Sequence, residues 1–345
     1  MTPKERQLAA IRHELADRVS TDAISVEIDP QIAELLGIGQ EEVFDALGRD
    51  GCVVAAGYAP PKAPPPAPDG RNEWGTTGWE FHDRRPYPLA GALAVADVER
   101  YPVPDPADYD YTSAARAARR ANEKYAVRGP YWQPLFCRVC DLFGMEGAML
   151  RLALDPAVFE AALERVFQHV YDYCRRLLDA CGDALPIFCL GDDFATQRDL
   201  MISPADWRRF LKPRFEKLFA LAKARGKVVW FHSCGNVSSV LPDLIDLGVD
   251  VWETVQLHTL PMPPRELKRQ FGRHLTFFGG VCTQRLPFAR PDEVRREVRR
   301  CIEALGEGGG YICGPDHQIK PDVPPENAVA LFDEARSFRR PGYTL

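Results

Sequence analysis

From residue 125 to the C-terminus the chain alternates short apolar runs with helical patterns, and this alternation narrows the possible folds more than any other feature. The runs at 125–129, 186–193, 227–234, 249–255, 275–281 and 310–314 read as buried strands. Between them, Asp155-Pro156 opens a helix predicted to reach about residue 180, with Asp155 as N-cap and Pro156 at the first helical position. Ser203-Pro204 opens another that passes Lys212-Pro213 and ends near residue 225, and 237–247, 263–271 and 291–305 supply three more. Repeated strand-helix units imply parallel strands covered by helices. Counting a strand at 52–57 and one from the first fifty residues gives eight, the number for a (β/α)8 TIM barrel. The α/β reading is therefore an N-terminal helical extension over 1–50 followed by a barrel over 51–345. No Gly-rich dinucleotide fingerprint follows the first strand, which argues against a Rossmann sheet.

Bulk properties restrict the class further. Hydrophobic residues at 46% against 27% charged suit a globular chain with an ample core, and a net charge of -6 argues against a broad nucleic-acid-binding surface. No run of about 18 apolar residues is present, and the N-terminus lacks a signal-peptide core, so no membrane association is expected. Ten cysteines without secretory features point to reduced thiols and a cytoplasmic setting. Six prolines within 59–69 make that segment a semi-rigid loop. The polar and aromatic stretch 72–80 reads either as a loop over the barrel mouth or as a plain hairpin.

The chemistry concentrates at strand ends. Val228-Val229-Trp230-Phe231-His232-Ser233-Cys234-Gly235-Asn236 is a strand closing on a His-x-Cys pair and a glycine turn. Alternation puts His232 and Cys234 on one face with Val228 and Trp230, with Val229 and Phe231 opposite. Imidazole and thiolate so placed are two arms of a zinc site. Other strand ends supply Asp192 and Asp193, Glu253, and the run Cys313-Gly314-Pro315-Asp316-His317. In such barrels, working residues sit at the C-terminal ends of strands. Cys52, Cys174, Cys181, Cys189, Cys282 and Cys301 read as core residues, Cys137-x-x-Cys140 as structural, and His258 and His274 as loop and surface histidines.

Phe231-His232-Ser233-Cys234-Gly235-Asn236, Leu241-Pro242-Asp243-Leu244, Phe278-Gly279-Gly280-Val281, Gly308-Gly309-Gly310-Tyr311-Ile312 and Pro321-Asp322-Val323-Pro324-Pro325-Glu326-Asn327 resemble the uroporphyrinogen decarboxylase superfamily. The resemblance runs from about residue 72 to the C-terminus and implies a (β/α)8 barrel. The Arg-bearing N-terminal motif of true decarboxylases is missing from the first hundred residues. A polyanionic tetrapyrrole needs several fixed cations, so the resemblance lies closer to the zinc- and cobalamin-dependent methyltransferase branch.

That branch implies a zinc ion on a His-x-Cys pair and a distant third ligand. His232 and Cys234 match the pair; the third position falls on His317, with Cys313 as the alternative thiolate. It further implies a methyl group passing between a corrinoid (methylcobalamin), carried on a partner protein, and a small-molecule acceptor such as a thiol coordinated as thiolate. Asp193, Asp192 and Glu253 would orient the zinc ligands or position substrate. Family decarboxylases are often dimers, so a homodimer is compatible with the resemblance. Two other classes stay open: a metal-independent decarboxylase of a porphyrinogen-like or smaller carboxylated substrate, using Asp193 and His317, and a non-catalytic tetrapyrrole or corrinoid binder.

Overall fold

The computed structural model of the chain describes residues 1–60, 70–77 and 87–339. Most of the proline-rich segment (61–69) and the distal part of the expected mouth loop (78–80) lie outside the described residues. Eight parallel strands form the barrel: β1 (Ser20–Thr21), β2 (Gly51–Val53), β3 (Ala126–Tyr131), β4 (Ile187–Gly191), β5 (Val228–His232), β6 (Val251–Val255), β7 (Thr276–Val281) and β8 (Tyr311–Pro315). They hydrogen-bond in the order β1-β8-β7-β6-β5-β4-β3-β2, so the sheet curls until β1 and β2 meet. The first fifty residues thus contribute the strand that the count of eight required.

The meeting of β1 and β2 is made largely by side chains. Asp50 donates its amide to Thr21 O (2.8 Å). Its carboxylate accepts from the Thr21 amide (3.0 Å), Ser20 Oγ (3.1 Å), Arg6 Nη1 (2.8 Å) and Arg18 Nη2 (3.1 Å). Asp50 is fully buried, and a buried carboxylate is tolerated only when its lone pairs are met in this way.

Inside the barrel, Ala126, Cys189, Trp230, Phe278 and Ile312 interlock, and Ala10 and Ile11 of the helix Pro3–Ile11 stop the N-terminal end. Trp230 and Phe278 are completely buried, each stabilising by roughly 2–3 kcal/mol. Beside them lies a charge: Arg128, without solvent contact, pairs with Asp22 and stacks over the Trp230 ring at 4.8 Å. Val229 and Phe231 face the outer layer, as strand alternation requires.

The long helix Pro156–Cys181 begins at the expected proline, but Asp155 makes no side-chain cap hydrogen bond. The helix past Lys212-Pro213 contains a π-helical turn over Trp207–Leu211, immediately before Lys212–Lys223. Pro213 has no N–H to give the preceding turn, and the widened turn absorbs that loss. Among the described residues, no helix is long and apolar enough to cross a membrane.

Candidate metal centre

β5 delivers His232 to the C-terminal rim with its ring packed inside the barrel mouth and only 2% of the residue exposed. Nδ1 lies 2.8 Å from Glu253 Oε1. A carboxylate only accepts, so Nδ1 carries a proton and Nε2 is the atom left to face the rim, free to bind once its own proton is displaced. Glu253, in the middle of β6 and wholly buried, accepts two further bonds, from Tyr131 Oη (2.8 Å) and from Trp230 Nε1. Tyr131 reaches inward because its backbone takes φ +80°, a conformation that a β-substituted residue adopts at a cost of about 1–2 kcal/mol.

Nε2 of His232 faces two more groups. Cys234 Sγ lies at 3.6 Å and Asp193 Oδ1 at 3.5 Å. Asp193 Oδ1 also accepts the Cys234 amide (2.7 Å), which fixes the turn. Behind Cys234, Gly235 has φ +85°, and a Cβ there would stand 2.5 Å from Thr196 O, so only glycine fits. Gln256 Oε1 accepts the Gly235 amide at 2.8 Å. The donor atoms of Asp193, His232 and Cys234 all lie within 4.8 Å of one another.

His317 completes the wall, its ring centroid 6.4 Å from that of His232. Cys234, Gly235, Gln256, Thr283, His317 and Lys320 line an open cavity of about 470 Å³ above the cluster. The rim thus gathers Asp193, His232, Cys234, Glu253 and His317.

Two expected residues are placed elsewhere. Asp192 turns away from the rim, and its carboxylate accepts the amides of Leu135 (3.1 Å), Phe136 (2.8 Å) and Cys137 (3.0 Å) at the start of the helix Phe136–Phe143. Three amides and a helix N-terminus make it an anchor for β3's following helix. Burial outweighs those bonds and pushes its pKa up to about 6. Cys313 sits in β8 with its side chain in the outer layer, beside Tyr311 and Cys301. Ile312, its neighbour, points into the barrel. Strand alternation therefore turns the Cys313 thiol away from the His232 cluster, and it is not brought to the rim. Cys137 and Cys140 are buried in the helix Phe136–Phe143, where Cys137 Sγ donates to Asp193 O (3.1 Å), a structural role.

The electrostatics suit a cation. Burial opposes charge on His232, yet Cys234, Asp193 and Glu253 around the ring hold its pKa well above the usual imidazole value. Burial pushes the Cys234 thiol up, against the pull of His232. Burial also works against Asp193 and Glu253, but their hydrogen bonds to His232 keep both below the usual carboxylate range. Burial, and then the His232 charge, lowers His317 to about 4, leaving a neutral imidazole. With His232 protonated and Cys234 a thiol, the two carboxylates leave the cluster at about one net negative charge. A divalent cation replacing those two protons preserves that charge, so the donor set fits a metal of the zinc class. The Glu253–His232 bond is the carboxylate–histidine pairing that orients metal-bound imidazoles.

An eight-stranded parallel barrel with its polar residues gathered at the C-terminal rim is an enzyme scaffold. The chain belongs to the uroporphyrinogen decarboxylase (URO-D) family, whose sequence model matches residues 77–338. Its relatives include both decarboxylases and methyltransferases. It is 28% identical over 186 residues to the uroporphyrinogen decarboxylase of Thermus thermophilus, covering 52% of this chain and 50% of the relative. It is 27% identical over 192 residues to the methylcobamide:CoM methyltransferase MtaA of Methanosarcina barkeri, covering 55% of this chain and 52% of that protein. The chain therefore spans about half the length of these two relatives. With the decarboxylase of Methylococcus capsulatus the identity is 24%, over 73% of this chain and 70% of the relative. The fold matches that of a methyltransferase from Methanosarcina mazei with a TM-score of 0.66 at 20% identity, covering 97% of this chain and 98% of that one.

Gln256 follows the polar strand end at Glu253 and so shares its sequence signal, whereas Tyr131 had none as a site residue. The Gly129-Pro130 pair before Tyr131 marks an irregular strand end, which is the one hint available.

Proposed function

We propose that this chain is a zinc-dependent methyltransferase that moves a methyl group between a corrinoid (methylcobalamin) on a carrier protein and a small acceptor such as a thiol. The observation that carries this reading is the His232 Nε2 and Cys234 Sγ pair, 3.6 Å apart beside an open cavity, with Nδ1 held by a buried carboxylate. His232 and Cys234 would hold the metal, with His317 as third ligand from the same cavity wall. When bound, zinc supplies an open coordination position at which a thiol becomes a thiolate at neutral pH. Glu253 keeps His232 in the tautomer that presents Nε2, and Tyr131 and Trp230 hold Glu253 in place. Asp193 fixes Cys234 through its amide and stands ready to take a proton from an incoming thiol.

The cavity wall bears on the substrate. Among the described residues lining it, Lys320 is the lone fixed cation, which suits a small acceptor better than a polycarboxylated tetrapyrrole. Phe288, 88% exposed at the cavity edge, offers an apolar contact for a carrier.

The test combines elemental analysis with loss of the alkyl-corrinoid absorbance when methylcobalamin and a thiol are supplied. About one zinc per chain, lost together with transfer in Cys234→Ala, supports the reading. Undiminished transfer after stripping with a chelator would sink it. A wild-type protein that refuses zinc and instead releases CO2 from a carboxylated substrate, dependent on Asp193 and His317, would establish the decarboxylase alternative.

A further inference from the structure

We propose that His258, Cys282 and Asp316 form a second site for a zinc-class divalent cation, separate from the rim cluster. The three residues follow β6, β7 and β8, and their Nδ1, Sγ and carboxylate oxygen atoms lie within 4.8 Å of one another. His258 Nδ1 is 3.6 Å from Cys282 Sγ and 3.5 Å from Asp316 Oδ2.

The independent pointer is Asp316. This residue has no solvent exposure, and nearly every polar atom it owns is engaged. Its amide donates to Val281 O (2.8 Å) and its carbonyl accepts from Thr254 Oγ1 (2.6 Å). Oδ1 accepts the Thr283 amide (2.9 Å) and hydroxyl (2.7 Å). Oδ2 alone, aimed at His258 and Cys282, receives no hydrogen bond among the described residues. A buried carboxylate oxygen without a donor is costly to leave unmet, and a coordinated cation removes that cost. One imidazole nitrogen, one thiolate and one carboxylate are borderline donors that select zinc-class ions over magnesium or calcium.

This site does not belong to the rim. Thr283 and His317 face the rim cavity, whereas His258 and Cys282 line a different cavity of about 280 Å³ with Arg285, Glu297 and Arg300. The two cavities share no lining residue. Asp316 and His317 are consecutive, so a cation here would tie three strand ends together directly behind a wall residue of the proposed catalytic centre. Glu297 already holds the Cys282 amide (3.0 Å) and stands beside the thiol.

Cadmium is a suitable probe, since its thiolate complexes absorb in the ultraviolet. In a Cys234→Ala protein, where the rim pair is broken, one equivalent of cadmium is expected with a thiolate band, and adding Cys282→Ala should abolish it. His258→Gln in the Cys234→Ala background alters a partly exposed side chain, and is expected to weaken cadmium binding by about tenfold or more while leaving the metal-free melting temperature nearly unchanged. No band in the Cys234→Ala protein, a band that survives loss of Cys282, or an unaltered affinity in the His258→Gln protein would each overturn the proposal. Because the rim thiol is absent throughout, failure of the methyltransferase reading does not affect the outcome.

Discussion

Replacing Glu253 by glutamine changes one charge and one atom type in a fully buried place, and the structure allows its effect to be worked through. The carboxylate accepts from His232 Nδ1 and Tyr131 Oη on Oε1 and from Trp230 Nε1 on Oε2. A glutamine has one carbonyl and one NH2 to offer those donors. If its carbonyl faces His232 and Tyr131, the NH2 meets the indole N–H and leaves it unpaired, at a cost of about 1–3 kcal/mol. If it is turned round, the NH2 faces His232, whose Nδ1 must then accept. The ring proton moves to Nε2 and the metal-facing lone pair is lost. In the first arrangement zinc affinity falls by the roughly 10–100-fold typical of losing such a partner, or about 1.4–2.7 kcal/mol, and in the second by more. Competition against a chromogenic chelator at fixed pH measures this, with circular dichroism checking that the variant is folded. A folded Glu253→Gln protein whose zinc affinity lies within about twofold of wild type would refute the assignment of Glu253 as the orienting group.

Gly235→Ala places a methyl 2.5 Å from Thr196 O on a backbone at φ +85°, so the turn must shift and carry Cys234 with it. A loss of at least about 1–2 kcal/mol in urea unfolding, with reduced zinc retention, is expected. Asp50→Ala leaves Arg6 and Arg18 without their buried carboxylate and should cost about 3–5 kcal/mol in the same assay. His317 gives a pH signature in metal-free protein. Its folded pKa, about 4, lies below the unfolded imidazole value of about 6.5, so its neutral form favours the native state. That contribution is complete above about pH 6.5 and is lost as pH falls toward 4, amounting to about 2 kcal/mol after allowance for partial exposure. Urea midpoints of wild type and His317→Gln should therefore diverge between pH 7 and pH 4, with wild type losing more; parallel curves would contradict the argument.

The barrel was readable because β3 to β8 are apolar runs punctuated by glycine and proline, and because their helices open on proline. β1 was not readable in that way: two residues, Ser20 and Thr21, carry no period, and their strand character comes from pairing with Ile312 and Cys313. The His232 and Cys234 pair was legible from alternation alone. Asp192 and Asp193 were legible as a polar strand end, but the sequence does not say which way each carboxylate turns once regular alternation stops. One anchors a helix and the other faces the rim. Tyr131 arrives through a left-handed backbone that composition does not encode. His258, Cys282 and Asp316 come from three separate strand ends with no shared motif, so only the fold brings them together.

The Asp50 seam has a practical consequence. The residues that match the family, 77–338, contain neither β1 nor β2, and Asp50 lies outside them as well. A fragment trimmed to those limits would be a six-stranded open sheet whose two outer strands, β3 and β8, have lost their neighbours. Bare strand edges of that kind recruit one another, and such a fragment is expected to aggregate however intact its proposed metal ligands are. The N-terminal residues act as the clasp of a bracelet, far from the chemistry but needed to keep the ring that presents it closed.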